Sequence, residues 1–408
     1  MMRVAVTGLG IVSPLGLDTP STWRAAVAGE SGIDWIRAFD TDGLPIRIAA
    51  EIKGYDPSAV ASPKEARKLE RYVLISLSAA TEALRDSGLE DYDPSRVGII
   101  WGSAIGGVTR IAQEAYTLRE RGPDRVTPNF LPSVLVDTAS GQLAISLGIT
   151  GLNYAIVSAC ATGSHSIGEA AEVIKRGDAD AVIAGGVESC VDPLILAGFT
   201  AMRGLSTENE HPPRASRPFD ATRDGFVIGE GAGAVLVERW DVAEARGAEI
   251  YAEVLGYGGS NDAHHLAQPE PEAIGVATMM RRALDRAGVA PERVGYINAH
   301  GTSTPLGDLA ETKAIKAVFG DHAYKLAVSS TKSMMGHTFG AAGAIEGALC
   351  VLALRDGILP PTINYRTPDP GCDLDYVPNE ARHVQVDVAL SNAMGLGGHN
   401  GCVLFGRA

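Results

Sequence analysis

The sequence predicts a layered α/β protein. Short apolar strands alternate with Ala-rich helical segments nearly from end to end. No low-complexity linker divides the 408 residues, so one fused body is expected. One strand–loop–helix unit is also echoed later in the chain, which suggests a duplicated core. A hydrophobic content of 45% is ample for a large interior.

The elements follow from local pattern. Val4-Ala5-Val6-Thr7-Gly8 opens a buried strand (3–8), and a helix is expected at 21–28. Ser62-Pro63-Lys64-Glu65 reads as a capping box with Pro in the first turn, starting a long helix over 63–87. Strand 97–101 and helices 110–121 and 137–147 come next. Tyr154-Ala155-Ile156-Val157, after the turn Gly151-Leu152-Asn153, reads as a short buried strand (154–158). Helix 163–176 has apolar residues at helical spacing and stops at Gly177. Strands 181–185, 232–238 and 250–257 lead to helix 271–287. Strand 294–298, helix 308–318, strand 326–329 and helix 341–356 follow, and strands 386–393 and 401–405 finish the chain.

In the echo, strand 154–158, the Cys160 loop with Gly163 and His165, and a helix ending in Arg176-Gly177 correspond to strand 326–329, the Lys332 loop with Gly336 and His337, and a helix ending in Asp356-Gly357. The expected halves are 1–250 and 251–408.

Five cysteines (160, 190, 350, 372 and 402) are scattered without CxxC spacing. A disulfide framework or zinc site is not expected, no metal site is assigned, and a reducing cytoplasm fits. The net charge of −14 argues against general nucleic-acid binding, and an acidic partner would need a locally basic patch. No apolar run approaches the ~18 residues of a membrane span, and no N-terminal signal is apparent.

Cys160 falls on a tight strand-to-helix turn, where unpaired N–H groups and the helix dipole would acidify a thiol and hold an oxyanion beside it. A small buried hydrophobe is the competing reading. Three further loops follow strands: Asn298 to Asp308 with His300, Ser330 to His337 with Lys332, and the flexible Gly395-Leu396-Gly397-Gly398-His399-Asn400 between the last two strands. A thiol near two imidazoles suits acyl transfer. Gly8-Leu9-Gly10 lacks the third glycine of a dinucleotide fingerprint, having Ser13 there.

Together these pieces resemble the β-ketoacyl-acyl-carrier-protein synthases of the elongating, synthase II type. The likeness rests on the Cys160 elbow, Ala215-Ser216-Arg217-Pro218-Phe219-Asp220 with Arg223-Asp224-Gly225-Phe226, His300-Gly301-Thr302-Ser303-Thr304, and Lys332-Ser333-Met334 with Gly336-His337. It implies a thiolase-like fold of duplicated α-β-α-β-α layers. It also implies a decarboxylative Claisen condensation of malonyl-carrier with an acyl chain held on Cys160, in fatty-acid elongation.

In that scheme His300 and His337 hold the enolate. The backbone N–H groups of Cys160 and Leu396 form the oxyanion hole, and Lys332 orients the site, paired with Glu346. Thr302, Thr304, Ile105 and Glu346 bind substrate, Ile105 at the wall of the acyl pocket. No cofactor belongs to the chain itself, since phosphopantetheine arrives on the acyl carrier protein. That carrier would dock on Lys64, Arg67, Lys68 and Arg71, spaced as one helical stripe, with Arg125 and Arg203. A homodimer is implied. A type II polyketide ketosynthase paired with a chain-length-factor subunit is the alternative. Leu396 replaces the family's usual Phe gate and Met335 its usual Thr, which leaves acyl preference open.

Overall fold

The computed structural model describes residues 2–408. Ten strands form the main sheet: β1 Val4–Val12, β2 Val97–Ser103, β3 Asn153–Tyr154, β4 Ala181–Glu188, β5 Gly231–Arg239, β6 Ala252–Asn261, β7 Tyr296–Asn298, β8 Ala327–Ser329, β9 Val388–Gly395 and β10 His399–Arg407. Their lateral order is β8-β7-β9-β10-β6-β1-β5-β4-β2-β3. The five strands before residue 250 run 1-5-4-2-3 and the five after it run 6-10-9-7-8, so each strand has a counterpart five places on. Strand directions repeat as well. β4 lies antiparallel to β5 and parallel to β2, as β9 lies antiparallel to β10 and parallel to β7. The halves join where β1 meets β6, at Ala5↔Glu253 and Val6↔Ala252.

The principal helices are α1 Thr19–Ala28, α2 Arg71–Asp86, α3 Val108–Arg121, α4 Thr138–Leu147, α5 Thr162–Arg176, α6 Pro193–Ala201, α7 Ile274–Ala287, α8 Pro305–Phe319 and α9 Ala342–Asp356. α5 and α9 lie between the two five-stranded halves, α2 and α4 cover the outside of the first, and α7 and α8 the outside of the second. These are the five alternating layers of the thiolase-like fold. Every residue from Ala342 to Leu354 of α9 is buried, so this helix is apolar all round rather than on one stripe. α5 and α9 cross where both lack a side chain. A Cβ on Gly163 would lie 2.4 Å from the Ala344 backbone nitrogen, and one on Gly343 2.2 Å from Ser164 Oγ.

Gly8 and Gly10 serve packing, not phosphate binding. A Cβ at either would meet the carbonyl oxygens of Ala83 and Ala79 in α2, at 2.1 and 1.9 Å.

The structure departs from the sequence reading in four places. The repeat is present, but its register is shifted. The 3-10 turn Ala159–Ala161 before α5 matches Phe339–Ala341 before α9, and each begins on a left-handed residue, Ala159 at φ 51° and Phe339 at φ 45°. Both helices span 15 residues and stop at a left-handed glycine, Gly177 or Gly357. Cys160 therefore corresponds to Gly340, not to Lys332.

The strand expected over 154–158 shortens to Asn153–Tyr154, and Tyr154 and Val157 are exposed, because β3 is an edge with a partner on one side only. The helix expected over 63–87 breaks. The Ser62–Glu65 capping box closes a single turn, Pro63–Ala66, that has nothing buried beneath it. The chain then turns to seat Leu69 against the core under α2. Finally, Gly395 to Asn400 is a tight hairpin rather than a flexible loop, with Gly395 paired to His399.

Candidate active site

The site forms where loops from both halves meet. Cys160 is buried on its elbow, whose left-handed Ala159 turns the chain sharply from Ser158 into α5. The Ser158 N–H donates to Thr162 Oγ1 at 3.0 Å and fixes that turn. From the other half, Gly395 approaches so closely that a Cβ would stand 2.7 Å from the Ser158 carbonyl and 3.1 Å from the Cys160 nitrogen. This approach lets the backbone N–H groups of Leu396 and Cys160 both face the sulfur.

The hairpin at Leu396 is clamped from outside. Gly397 N–H donates to the Leu266 carbonyl at 2.8 Å, Asp262 N–H to the Gly398 carbonyl at 2.9 Å, and Asn261 Nδ2 to the Gly397 carbonyl at 2.9 Å.

His337 Nε2 lies 3.0 Å from Cys160 Sγ. Its backbone N–H donates to the Val227 carbonyl at 2.8 Å. Phe339 lies against its ring at a centroid distance of 4.7 Å, and Phe226 meets it edge-on at 5.6 Å. His300 stands edge-on to His337 at 5.3 Å. Its loop is held by Glu311, whose two carboxylate oxygens accept the N–H groups of His300 and Gly301, each at 2.8 Å. Lys332 and Glu346 form a buried ion pair behind these rings.

Electrostatics sharpen the picture. Burial, then the positive charge of Lys332, holds both imidazoles well below the ordinary histidine range. Both rings are therefore neutral near pH 7 and can offer an N–H without carrying a charge. Burial pushes the Cys160 thiol up to about 12, opposed by Lys332 and the N–H groups of Leu396 and Cys160. The acidified thiol expected at a helix start is thus not the resting state. The elbow lies in an apolar cluster with Phe339, Leu196 and Val227, and desolvation of the thiolate outweighs the donors. Burial also raises the Glu346 carboxyl to about 7 against the pull of Lys332.

Cys160, His300, His337, Thr302, Thr304 and Leu396 line one cavity of about 610 Å³, with Arg203 at its rim. Thr302 Oγ1 and Thr304 Oγ1 are 3.0 Å apart. Ile105 packs on the hydrophobic cluster that contains Cys160, away from this opening. Glu346 does not reach the cavity; it contacts Lys332, so the direct substrate contact expected of it is corrected to support of the lysine.

Lys64, Arg67, Lys68 and Arg125 are exposed. Arg71 is tied to Glu230 at 2.7 Å, and the helix break prevents one continuous basic stripe.

Sequence reasoning did not single out Glu311, Phe339 or Glu188. The first two had a signal: an acidic residue one helical turn after Asp308, and an aromatic two residues after His337. Glu188 had only its position at the end of the apolar run 181–187.

The family model for the N-terminal domain of β-ketoacyl synthases matches residues 1–243, and that for the C-terminal domain matches residues 251–366. The chain is 51% identical over 407 residues to the 3-oxoacyl-[acyl-carrier-protein] synthase 2 of Coxiella burnetii (strain RSA 493 / Nine Mile phase I), covering 99% of this chain and 98% of that one. It is 47% identical over 405 residues to the protein of the same name from Staphylococcus aureus (strain N315), again covering 99% and 98%. Among solved structures, a type II polyketide ketosynthase in complex with its acyl carrier protein superposes with a TM-score of 0.92, at 33% identity and full coverage of both chains.

Proposed function

The chain belongs to the β-ketoacyl synthase family, and from that premise we propose that it elongates fatty acyl chains carried on acyl carrier protein. The observation that carries this reading is the cavity in which a buried thiol meets one imidazole at 3.0 Å with a second imidazole beside it.

In the first half-reaction, Cys160 Sγ attacks the thioester carbonyl of the acyl carrier. The S–C bond to Cys160 forms and the bond to the pantetheine sulfur breaks. The thiol proton passes through His337 Nε2 to the leaving thiolate, so no free Cys160 thiolate accumulates. The oxyanion formed on the way is held by the N–H groups of Cys160 and Leu396.

In the second half-reaction, the malonyl carrier loses CO₂ and negative charge develops on its thioester oxygen. The neutral N–H donors of His300 and His337 stabilise that oxygen in a water-poor site, where each such donor contributes ~2.7–4 kcal/mol. The enolate carbon then attacks the acyl carbonyl, and the Cys160 sulfur leaves and is reprotonated by the one proton that the condensation takes up from solvent. The product is a β-ketoacyl chain two carbons longer. Burial, with the charge of Lys332, keeps the imidazoles neutral, and Thr302 and Thr304 line the path of the pantetheine arm.

The chain brings no cofactor of its own to this scheme. An acidic carrier would dock on Lys64, Arg67, Lys68, Arg125 and Arg203, all exposed on an otherwise acidic protein, with Arg203 at the cavity. A second copy would pair along the open side of β3, where Tyr154, Val157, Leu131, Leu135 and Ile145 expose apolar surface. Light scattering would show a single chain if that pairing is wrong. Five free thiols fit a cytoplasmic setting, and no helix among the described residues is long and apolar enough to cross a membrane.

The polyketide alternative draws on the same fold and on Leu396. The higher identity of the two fatty-acid synthase relatives, 51% and 47% against 33%, favours elongation. Supplying hexanoyl and malonyl carriers together tests it. The expected product is the eight-carbon 3-oxoacyl carrier; failure to extend any saturated chain would contradict the assignment.

A further inference from the structure

Glu188 ends β4 fully buried and is used by none of the steps above. Its carboxylate accepts four hydrogen bonds from two regions of the fold. Oε1 takes Ser103 Oγ at 2.8 Å and the Ile105 N–H at 3.3 Å, and Oε2 takes the Ala104 N–H at 2.8 Å and the Gly340 N–H at 3.2 Å. Ser103 to Ile105 lead from β2 into a wall formed by Ala104 and Ile105, which pack on the apolar cluster that holds Cys160. Gly340 lies in the 3-10 turn before α9, directly after Phe339, whose ring lies against His337.

The repeat explains why a carboxylate stands here. Gly340 occupies the elbow position that Cys160 holds in the other half, and Glu188 ends β4 as Gly395 ends the corresponding strand β9. In one half the elbow and strand-end N–H groups are left for a substrate oxyanion. In the other the elbow N–H is already satisfied by a carboxylate built into the chain. The approach is tight, since a Cβ on Gly340 would lie 2.7 Å from the Ala104 nitrogen and 3.0 Å from Glu188 Oε2.

We propose that Glu188 is a positioning residue that locks the Ala104–Ile105 wall, which packs on the apolar cluster holding Cys160, to the turn that precedes α9, and so sets which acyl chains Cys160 accepts. The proposal rests on the condensing-enzyme reading above. Of the two regions, the wall depends more on the carboxylate, which holds it at Ser103, Ala104 and Ile105. Gly340 is held by α9, and His337 by its own N–H bond to Val227 and by its aromatic neighbours. Ser103 Oγ, the donor to Oε1, itself accepts the Gly106 N–H at 2.8 Å, so the carboxylate tethers the whole turn. A Glu188→Gln side chain keeps the volume but turns an NH₂ toward N–H donors, and whichever oxygen it replaces, the wall loses the acceptor of the Ile105 or the Ala104 N–H.

The test compares wild type and Glu188→Gln with six- and sixteen-carbon acyl carriers. It follows acylation of Cys160 by intact mass and, separately, CO₂ release from malonyl carrier. Release of the wall is expected to shift the acylation ratio toward the sixteen-carbon chain by about tenfold, the scale at which apolar pockets discriminate small differences in chain fit. Decarboxylation, which needs only the His300–His337 donors, should stay within about threefold. Ser103→Ala, which removes one of the four donors together with the acceptor of the Gly106 N–H, should shift the ratio in the same direction, and it covers the case in which the glutamine variant does not fold. An unchanged ratio in both variants, or one uniform loss across both chains and decarboxylation, would overturn the proposal and leave Glu188 a structural residue only. If wild type itself takes no acyl group on Cys160, the functional reading fails instead.

Discussion

Replacing His300 by alanine should separate the two half-reactions. Cys160 Sγ is 3.0 Å from His337 Nε2, and the His300 ring stands behind His337, 5.3 Å between centroids. The acyl-transfer step therefore does not pass through His300. Decarboxylation does, because it needs a second N–H on the enolate oxygen. Losing one such donor costs ~2.7–4 kcal/mol, a fall in CO₂ release of about 10²–10³. The fold should tolerate the change. The loop is held by the His300 backbone N–H on Glu311, which alanine keeps, and the ring's Nδ1 has no partner to orphan. A stability loss near the ordinary ~1 kcal/mol is expected. The assay reads acyl adduct by intact mass and CO₂ release from labelled malonyl carrier on the same preparation. Acylation should remain within about threefold. A parallel fall in both, or decarboxylation at the wild-type rate, would refute the division of labour.

Three further outcomes follow from the same geometry. Lys332 is one of the charges holding both imidazoles below their ordinary range, so Lys332→Met should let them protonate at higher pH. The acidic limb of the decarboxylation profile should move up, with burial still holding it below the ordinary histidine range, and a limb that stays in place would remove Lys332 from this role. Because burial pushes the Cys160 thiol up to about 12, its alkylation by iodoacetamide should keep rising from pH 7 to 10, by about tenfold per unit, rather than levelling near the ~8.5 of a free thiol. A plateau at neutral pH would mean that the resting sulfur is a thiolate. Gly163→Val should destabilise the chain by about 3 kcal/mol or more in denaturant, because its Cβ would meet the backbone of α9 at the helix crossing. A loss below about 1 kcal/mol would show that the crossing can open.

The chemistry-bearing loops were legible because the residue types that react are rare and each follows an apolar strand. Cys160, His300, Lys332 and His337 all stand out in this way, and the alternation of strands and helices was enough for the layers. What failed depends on surroundings that the local pattern does not contain. The elbow at Cys160 shows a helix start, but not the apolar cluster that keeps the thiol protonated. Tyr154 to Val157 has a core strand's composition at a sheet edge. Lys64 to Arg71 has helical spacing, but nothing apolar under its first turn holds it in one helix. The repeat was found by matching Gly and His residues, so Lys332 was paired with Cys160. The backbone repeat instead pairs Cys160 with Gly340, where no reactive side chain remains to mark it. Glu188 was missed for a related reason: a lone acid ending an apolar strand carries no local sign that four donors converge on it.

The most direct test of the account is to incubate the protein with an acyl carrier, digest it, and locate the added mass. The account predicts one acyl group on the peptide containing Cys160, released when malonyl carrier is added and recovered as a product two carbons longer. An acyl group on another residue, or undiminished elongation by a Cys160→Ala variant, would contradict it.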